Sequence, residues 1–293
     1  MNDTTPTREK ITAPTIQAMK TSSEKIVMVT AYDYPTARAV EASGVEAILV
    51  GDSLGMVVLG YESTIPVTME DIIHHTRAVM RGVTTVHVVA DLPFMSYQVS
   101  DAQALENAGR LMKEGGADAV KLEGGVSMAS RIEAIVRAGI PVMAHIGLTP
   151  QASAALGGFK VQGRSLDAAR SLIADAEAVE TAGAYAVVLE AIPRQLARII
   201  TARLSVPTIG IGAGVECDGQ VLVNADLLGS YDRFSPRFAK PYANIREVMR
   251  DAFSQFAAEV RSGDFPTHEH GFAMSRDVIA ALEESPPLQD QER

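Results

Sequence analysis

Short apolar runs recur along the chain, each closed by an acid or a glycine and followed by a stretch of helical periodicity. They predict strands over 26–33, 47–53, 84–91, 119–123, 141–147, 186–190, 207–214 and 220–223. Between them lie helical patterns over 15–20, 35–42, 68–80, 101–114, 126–138, 166–182, 193–203 and 242–262. Thr68 and Asp71 have the spacing of a capping box, and Ile72, Ile73, Thr76, Val79 and Met80 form one apolar stripe behind them. Ser100 caps the next helix, and Gly115-Gly116 stop it. Residues 55–64, 149–165 and 224–235 read as loops. The second, with Gly157-Gly158 and Gly163, is a candidate lid. Residues 1–10 read as a flexible arm, 11–275 as one domain, and 276–293 as a disordered tail.

Eight buried strands alternating with helices fit an α/β fold of the (β/α)8 barrel type, which spans roughly 250 residues. A doubly wound sheet is the alternative. It concentrates functional residues at one switch point, whereas here polar strand ends occur all along the chain.

Three segments share one layout: a glycine turn, an alanine, an apolar run and a terminal acid. They end at Asp52, Glu123 and Glu190, and Asp91 closes a fourth apolar run. If these strands are parallel neighbours, four carboxylates meet at one end of the sheet. One such acid alone could simply cap the following helix. Four together favour a shared cation. With one cysteine and no clustered histidine ligands, a hard ion such as Mg2+ fits best.

Other side chains carry competing readings. Lys121 stands two residues from Glu123 on one strand face and could pair with it or bind a substrate carboxylate. Glu190 could be a general base or a salt-bridge partner of Arg194. His145 ends the fifth strand, where a barrel keeps its site, though a lone histidine is often structural. Gly210-Ile211-Gly212-Ala213-Gly214 could cradle an anion or make a tight turn. His74-His75 reads as surface or interface, and Cys217 as inert.

Composition narrows the function. The net charge of -10 argues against nucleic-acid binding, and the absence of tryptophan weakens any base-stacking role. The single cysteine excludes an internal disulfide and suits a reducing compartment. With no signal-peptide pattern and no apolar run of about 18 residues, the expected place is the cytoplasm, away from membranes.

Five segments, in order, resemble one family. They are Gly51-Asp52-Ser53-Leu54-Gly55-Met56, Ala90-Asp91-Leu92-Pro93-Phe94-Met95, Val120-Lys121-Leu122-Glu123-Gly124-Gly125, His145 through Gln151, and Gly210 through Gln220. The family is ketopantoate hydroxymethyltransferase, and the likeness runs over about residues 10–275. The resemblance implies a barrel of the phosphoenolpyruvate mutase and isocitrate lyase superfamily. It implies transfer of a hydroxymethyl group from 5,10-methylenetetrahydrofolate to 3-methyl-2-oxobutanoate, giving 2-dehydropantoate for pantothenate and coenzyme A synthesis. By matching motif, Asp52, Asp91 and Glu123 hold or surround Mg2+. Asp52, Ser53, Asp91 and Lys121 contact the keto acid, with His145 beside them, and Glu190 accepts the proton. A cytoplasmic homo-oligomer, often a decamer, is also implied. The Lys-Lys-Cys-Gly-His stretch that superfamily lyases resemble one another in does not occur. A non-catalytic barrel would be expected to have lost some of the four acids, and all are present.

Overall fold

The computed structural model describes residues 8–233 and 236–284. Its contacts divide the chain into two compact units, Met1–Ala243 and Asn244–Arg293, a division that falls inside the 11–275 span read as one domain.

In the first unit, α1 (Ala13–Ser22) precedes β1 (Ile26–Thr30), α2 (Tyr34–Ser43), β2 (Ala47–Val50), the short α3 (Leu54–Val57) and α4 (Met69–Met80). Next come β3 (His87–Asp91), α5 (Asp101–Arg110), β4 (Ala119–Glu123), α6 (Ala129–Arg137) and β5 (Val142–Gly147). The short α7 (Ser153–Leu156), α8 (Leu166–Thr181), β6 (Ala186–Glu190), α9 (Arg194–Arg203), β7 (Thr208–Ile211), β8 (Gly219–Leu222) and α10 (Asn224–Leu228) complete it. The second unit holds α11 (Ile245–Ser262) and α12 (Arg276–Glu283), so a helix stands where the first part of a disordered tail was expected. Residues 1–7 of the expected arm and 285–293 of the tail lie outside the described residues. At the end of the expected arm the chain is tied down: Lys10 Nζ is 2.6 Å from Asp118 Oδ2, and Arg8 reaches Glu46 at 3.2 Å.

The eight strands are all parallel and close in sequence order, β1 pairing with β8. A doubly wound sheet is thereby excluded. Alternation along the strands separates two cores. Outward residues such as Val88, Val120, Leu122, Ala144 and Leu189 pack under the helices. Inward residues, among them Met28, Leu49, Val89, Met143 and Val188, fill the barrel and meet Ile11, Ala13 and Ile16 from the segment at α1. The N-terminal end of the barrel is therefore packed solid, and the polar inward positions crowd the opposite end.

Local chemistry sets the element ends. Thr68 and Asp71 form the expected capping box on α4, with Oγ1 accepting from Asp71 N–H at 3.1 Å and Asp71 Oδ2 accepting from Thr68 N–H at 2.9 Å. Such a cap contributes about 1 kcal/mol. The helix α5 continues as a π turn over Leu111–Gly115. A Cβ at Gly115 would lie 3.1 Å from Thr76 Cγ2, so this glycine lets the turn lie against α4. The expected loops 149–165 and 224–235 contain the short helices α7 and α10, and α3 runs into the start of 55–64.

His87 lies inside the packed end, its Nε2 2.9 Å from the Tyr185 hydroxyl and its Nδ1 without a partner. Burial pushes its pKa from 6.5 down to about 4; Asp118 pulls it up and Lys10 pushes it down, and neither offsets burial. The folded protein binds this proton more weakly than the unfolded chain. Stability is thus lost as pH falls from 6.5 towards 4, by an amount on the order of 3 kcal/mol. Urea unfolding of wild type and His87→Gln at pH 7 and pH 4.5 checks this. The variant is expected to lose about 2 kcal/mol less than wild type over that interval, and identical losses would contradict it.

Candidate active site

The strand register builds the site. Asp91 ends β3 opposite Lys121, and Glu123 ends β4 opposite His145. On β6, Glu190 pairs with Gly147 of β5. All these side chains point inward and line one cavity of about 340 Å³, together with Asp52 and Ser53 from the turn after β2. Every sequence-predicted site residue, Asp52, Ser53, Asp91, Lys121, Glu123, His145 and Glu190, is brought to this wall.

Its internal pairing differs from the sequence reading. Lys121 does not pair with Glu123; its Nζ is 2.7 Å from Asp91 Oδ1, with both side chains buried. Neighbours two apart on a strand are separated by roughly 6.6 Å of rise, whereas adjacent strands lie about 4.8 Å apart, so the cross-strand partner wins. Asp91 Oδ2 accepts the Asp52 backbone N–H at 2.9 Å. Burial, opposed by Lys121, leaves the Asp91 pKa raised, and burial with the charges of Asp91 and Glu123 raises Asp52 well above its usual range. Burial disfavours the Lys121 ammonium, yet Asp91, Glu123 and Asp52 outweigh it and its pKa ends up raised.

Glu190 does not pair with Arg194. Its Oε2 is 3.2 Å from His145 Nε2, although off the line of a hydrogen bond. His145 Nδ1 lies 3.5 Å from Glu123 Oε1 and 3.3 Å from Lys121 Nζ. Burial and Lys121 push the His145 pKa down, but Glu123 and Glu190 prevail and raise it to about 9. The ring is therefore an imidazolium at neutral pH, and its contact with Lys121 is one between two cations that the carboxylates hold together. Immediately after Glu190, Ala191 takes a φ of +46°, a strained conformation that bends the chain away from the site.

Two residues that sequence reasoning did not single out organise the floor. Gln151 donates from Nε2 to Asp52 Oδ2 at 2.9 Å, and its backbone N–H donates to Glu123 Oε2 at 3.0 Å. The Tyr97 hydroxyl lies 2.7 Å from Gln151 Oε1. An amide and a phenol carry no charge pattern, although Gln151 stands within one of the family-like segments. The Tyr32 hydroxyl is 2.8 Å from Ser53 Oγ, and its carbonyl is 2.6 Å from His75 Nδ1, so His75 faces inward rather than the surface.

The glycine-rich exit of β7 serves close packing. Gly212 has a φ of +64°, and a Cβ there would lie 2.6 Å from Phe238 Cδ1. A Cβ on Gly214 would lie 2.6 Å from Arg194 Cβ. The anion-cradle reading thus gives way to a turn that seats an aromatic ring over the cavity. Cys217 is buried, and burial pushes its thiol pKa up, as expected of an inert residue.

Four carboxylates here face two cations, and all but Glu190 are buried, with Asp91 Oδ1 held only by the Lys121 ammonium among the described residues. This donor set fits a hard divalent cation. Among the described residues no three His, Cys, Asp or Glu side chains form a ready-made metal cage. The fit is therefore to an ion held by one or two carboxylates, with waters and substrate oxygens completing its shell, as Mg2+ prefers. Among the described residues no helix is long and apolar enough to cross a membrane.

Known proteins with the same architecture fall in two tiers. A phosphonopyruvate hydrolase superposes with a TM-score of 0.58 at 16% identity, covering 94% of this chain and 95% of that one. A 2,3-dimethylmalate lyase, a PEP mutase/isocitrate lyase superfamily member, gives 0.55 at 15%, covering 93% and 94%. These show the same barrel fold. In sequence, the chain is 58% identical over 273 residues to a 3-methyl-2-oxobutanoate hydroxymethyltransferase of Enterococcus faecalis, covering 93% of this chain and 99% of that protein. The Moorella thermoacetica protein of the same name is 59% identical over 265 residues, covering 90% and 98%. The family described as ketopantoate hydroxymethyltransferase matches residues 10–268. A match of that length, with relatives more than half identical, makes this chain an enzyme that belongs to the ketopantoate hydroxymethyltransferase family.

Proposed function

We propose that the protein transfers a hydroxymethyl group from 5,10-methylenetetrahydrofolate to 3-methyl-2-oxobutanoate, forming 2-dehydropantoate for pantothenate synthesis. The observation that carries this reading is the pairing of a cavity-lining Glu190 with His145 beside the buried Lys121–Asp91 pair. Lys121 and Ser53 bind the keto acid through its oxygens. Glu190 takes the proton from C3, and the electron pair left behind forms the C2–C3 double bond of an enolate. His145, charged and 3.2 Å away, orients the Glu190 carboxylate. Water adds to the methylene carbon of the folate, whose bonds to N5 and N10 break as each nitrogen takes a proton. C3 of the enolate attacks the formaldehyde unit so released, and its oxygen takes back the proton from Glu190 to become the hydroxyl. Held by one or two of the carboxylates Asp52, Asp91 and Glu123, Mg2+ would supply positive charge against the negative charge that develops on the keto acid. The buried walls keep that charge away from bulk water.

The first half of the reaction needs no folate, which gives the test. In D2O with Mg2+ and 3-methyl-2-oxobutanoate alone, the protein is expected to exchange the C3 proton for deuterium, followed by NMR. A protein that binds the keto acid without exchanging it would overturn the proposal.

A further inference from the structure

Above the acidic floor the wall of the cavity changes character. Phe159, Tyr231 and Phe238 line it with flat rings, and Phe159 and Phe238 remain 54% and 38% exposed. Lys160 and Arg237 stand on the same wall, with no ion pair to any described carboxylate. Asp226 lines it too. This half-buried carboxylate sits on α10 and takes no part in the keto-acid chemistry. Burial alone raises its pKa, and no described donor or cation touches it. Aromatic surface left open and a carboxylate left without a donor are both costly arrangements unless something covers them. The aromatic wall is also held in place, since Phe238 rests on Gly212 where no side chain could stand.

A five-carbon keto acid occupies only the floor of a cavity of this size. The second occupant must have a flat ring system, a two-donor edge and an anionic end. A reduced pterin presents its N3–H and 2-amino group side by side, matching the fork of a carboxylate. Its aminobenzoyl ring stacks on aromatic side chains, and its glutamate tail carries at least two carboxylates.

Resting on the reading above, we infer that this upper wall is the folate half-site. Asp226 holds the pterin edge, Phe159, Tyr231 and Phe238 hold the rings, and Lys160 with Arg237 holds the glutamate tail. Asp226 acts as a specificity residue for the pterin, whereas the two cations set the preference for tail length.

The test splits the folate half from the keto-acid half. Asp226→Ala is expected to raise KM for 5,10-methylenetetrahydrofolate about tenfold or more, with folate-free deuterium exchange of 3-methyl-2-oxobutanoate within about twofold of wild type. The double variant Lys160→Ser, Arg237→Ser is expected to bind the monoglutamate and the pentaglutamate alike, where wild type prefers the pentaglutamate at low salt. If wild type exchanges the keto acid but Asp226→Ala keeps its folate KM, the half-site assignment fails and the proposed activity stands. If Asp226→Ala instead lowers folate-free exchange, the upper wall serves the keto acid and the assignment also fails. Absence of exchange in wild type brings down the activity itself. A double variant that keeps the wild-type preference for the pentaglutamate removes Lys160 and Arg237 from the proposal.

Discussion

Replacing Glu190 by glutamine is expected to cut folate-free deuterium exchange by about 10²- to 10⁴-fold, the usual worth of a positioned general base. The substitution keeps size and hydrogen-bonding capacity beside His145 and removes only the ability to accept a proton. Keto-acid affinity, measured by calorimetry, is expected to stay within about threefold of wild type, because the loss falls on a group that acts in the transition state. Thermal stability is expected to change little, since Glu190 is the least buried of the four carboxylates; its side chain is 15% exposed. Exchange at the wild-type rate in Glu190→Gln would remove this residue from the chemistry.

The second large effect concerns Asp91. Asp91→Ala takes the counter-charge from a buried Lys121, and breaking such a pair costs about 3–5 kcal/mol. It also removes the acceptor of the Asp52 backbone N–H and a carboxylate at the expected cation position. The melting temperature is expected to fall by about 10 °C. Mg2+ affinity by titration calorimetry is expected to fall at least about tenfold, and exchange with it. A double variant, Asp91→Leu with Lys121→Met, separates the two consequences. Replacing a buried ion pair by apolar side chains of similar volume restores stability, so this variant is expected to fold normally and remain inactive. Wild-type Mg2+ affinity in Asp91→Ala would take Asp91 out of the metal site.

The strands were legible because buried parallel strands read as apolar runs. For β6 the apolar residues between Gly183 and Pro193 give both ends correctly. Elsewhere tertiary contacts moved the boundaries. The third strand begins at His87 rather than 84, because Glu41 accepts hydrogen bonds from Thr84 Oγ1 and from Thr85 and Val86 N–H, holding that stretch outside the ladder. The seventh ends at Ile211 because Gly212 turns into the left-handed region to make room for Phe238. Short helices such as α3 and α10 hold too few residues to show periodicity.

The site was legible wherever charge met an apolar run. The convergence of Asp52, Asp91, Glu123 and Glu190 followed from the repeated layout alone. Who pairs with whom did not, because a carboxylate's partner is set by strand register. Gln151, Tyr97 and Asp226 escaped for a related reason. Each sits in a loop or short helix, and its role depends on what folds over it.

The solid packing at the N-terminal end has a kinetic consequence. With the cavity closed below, the proposed activity predicts that the small keto acid arrives before the larger folate and is held in while that molecule stands at the mouth. On the proposed activity the same geometry predicts that tetrahydrofolate departs first and 2-dehydropantoate last. Excess folate in the absence of keto acid would then block the enzyme, giving inhibition that rising keto-acid concentration relieves.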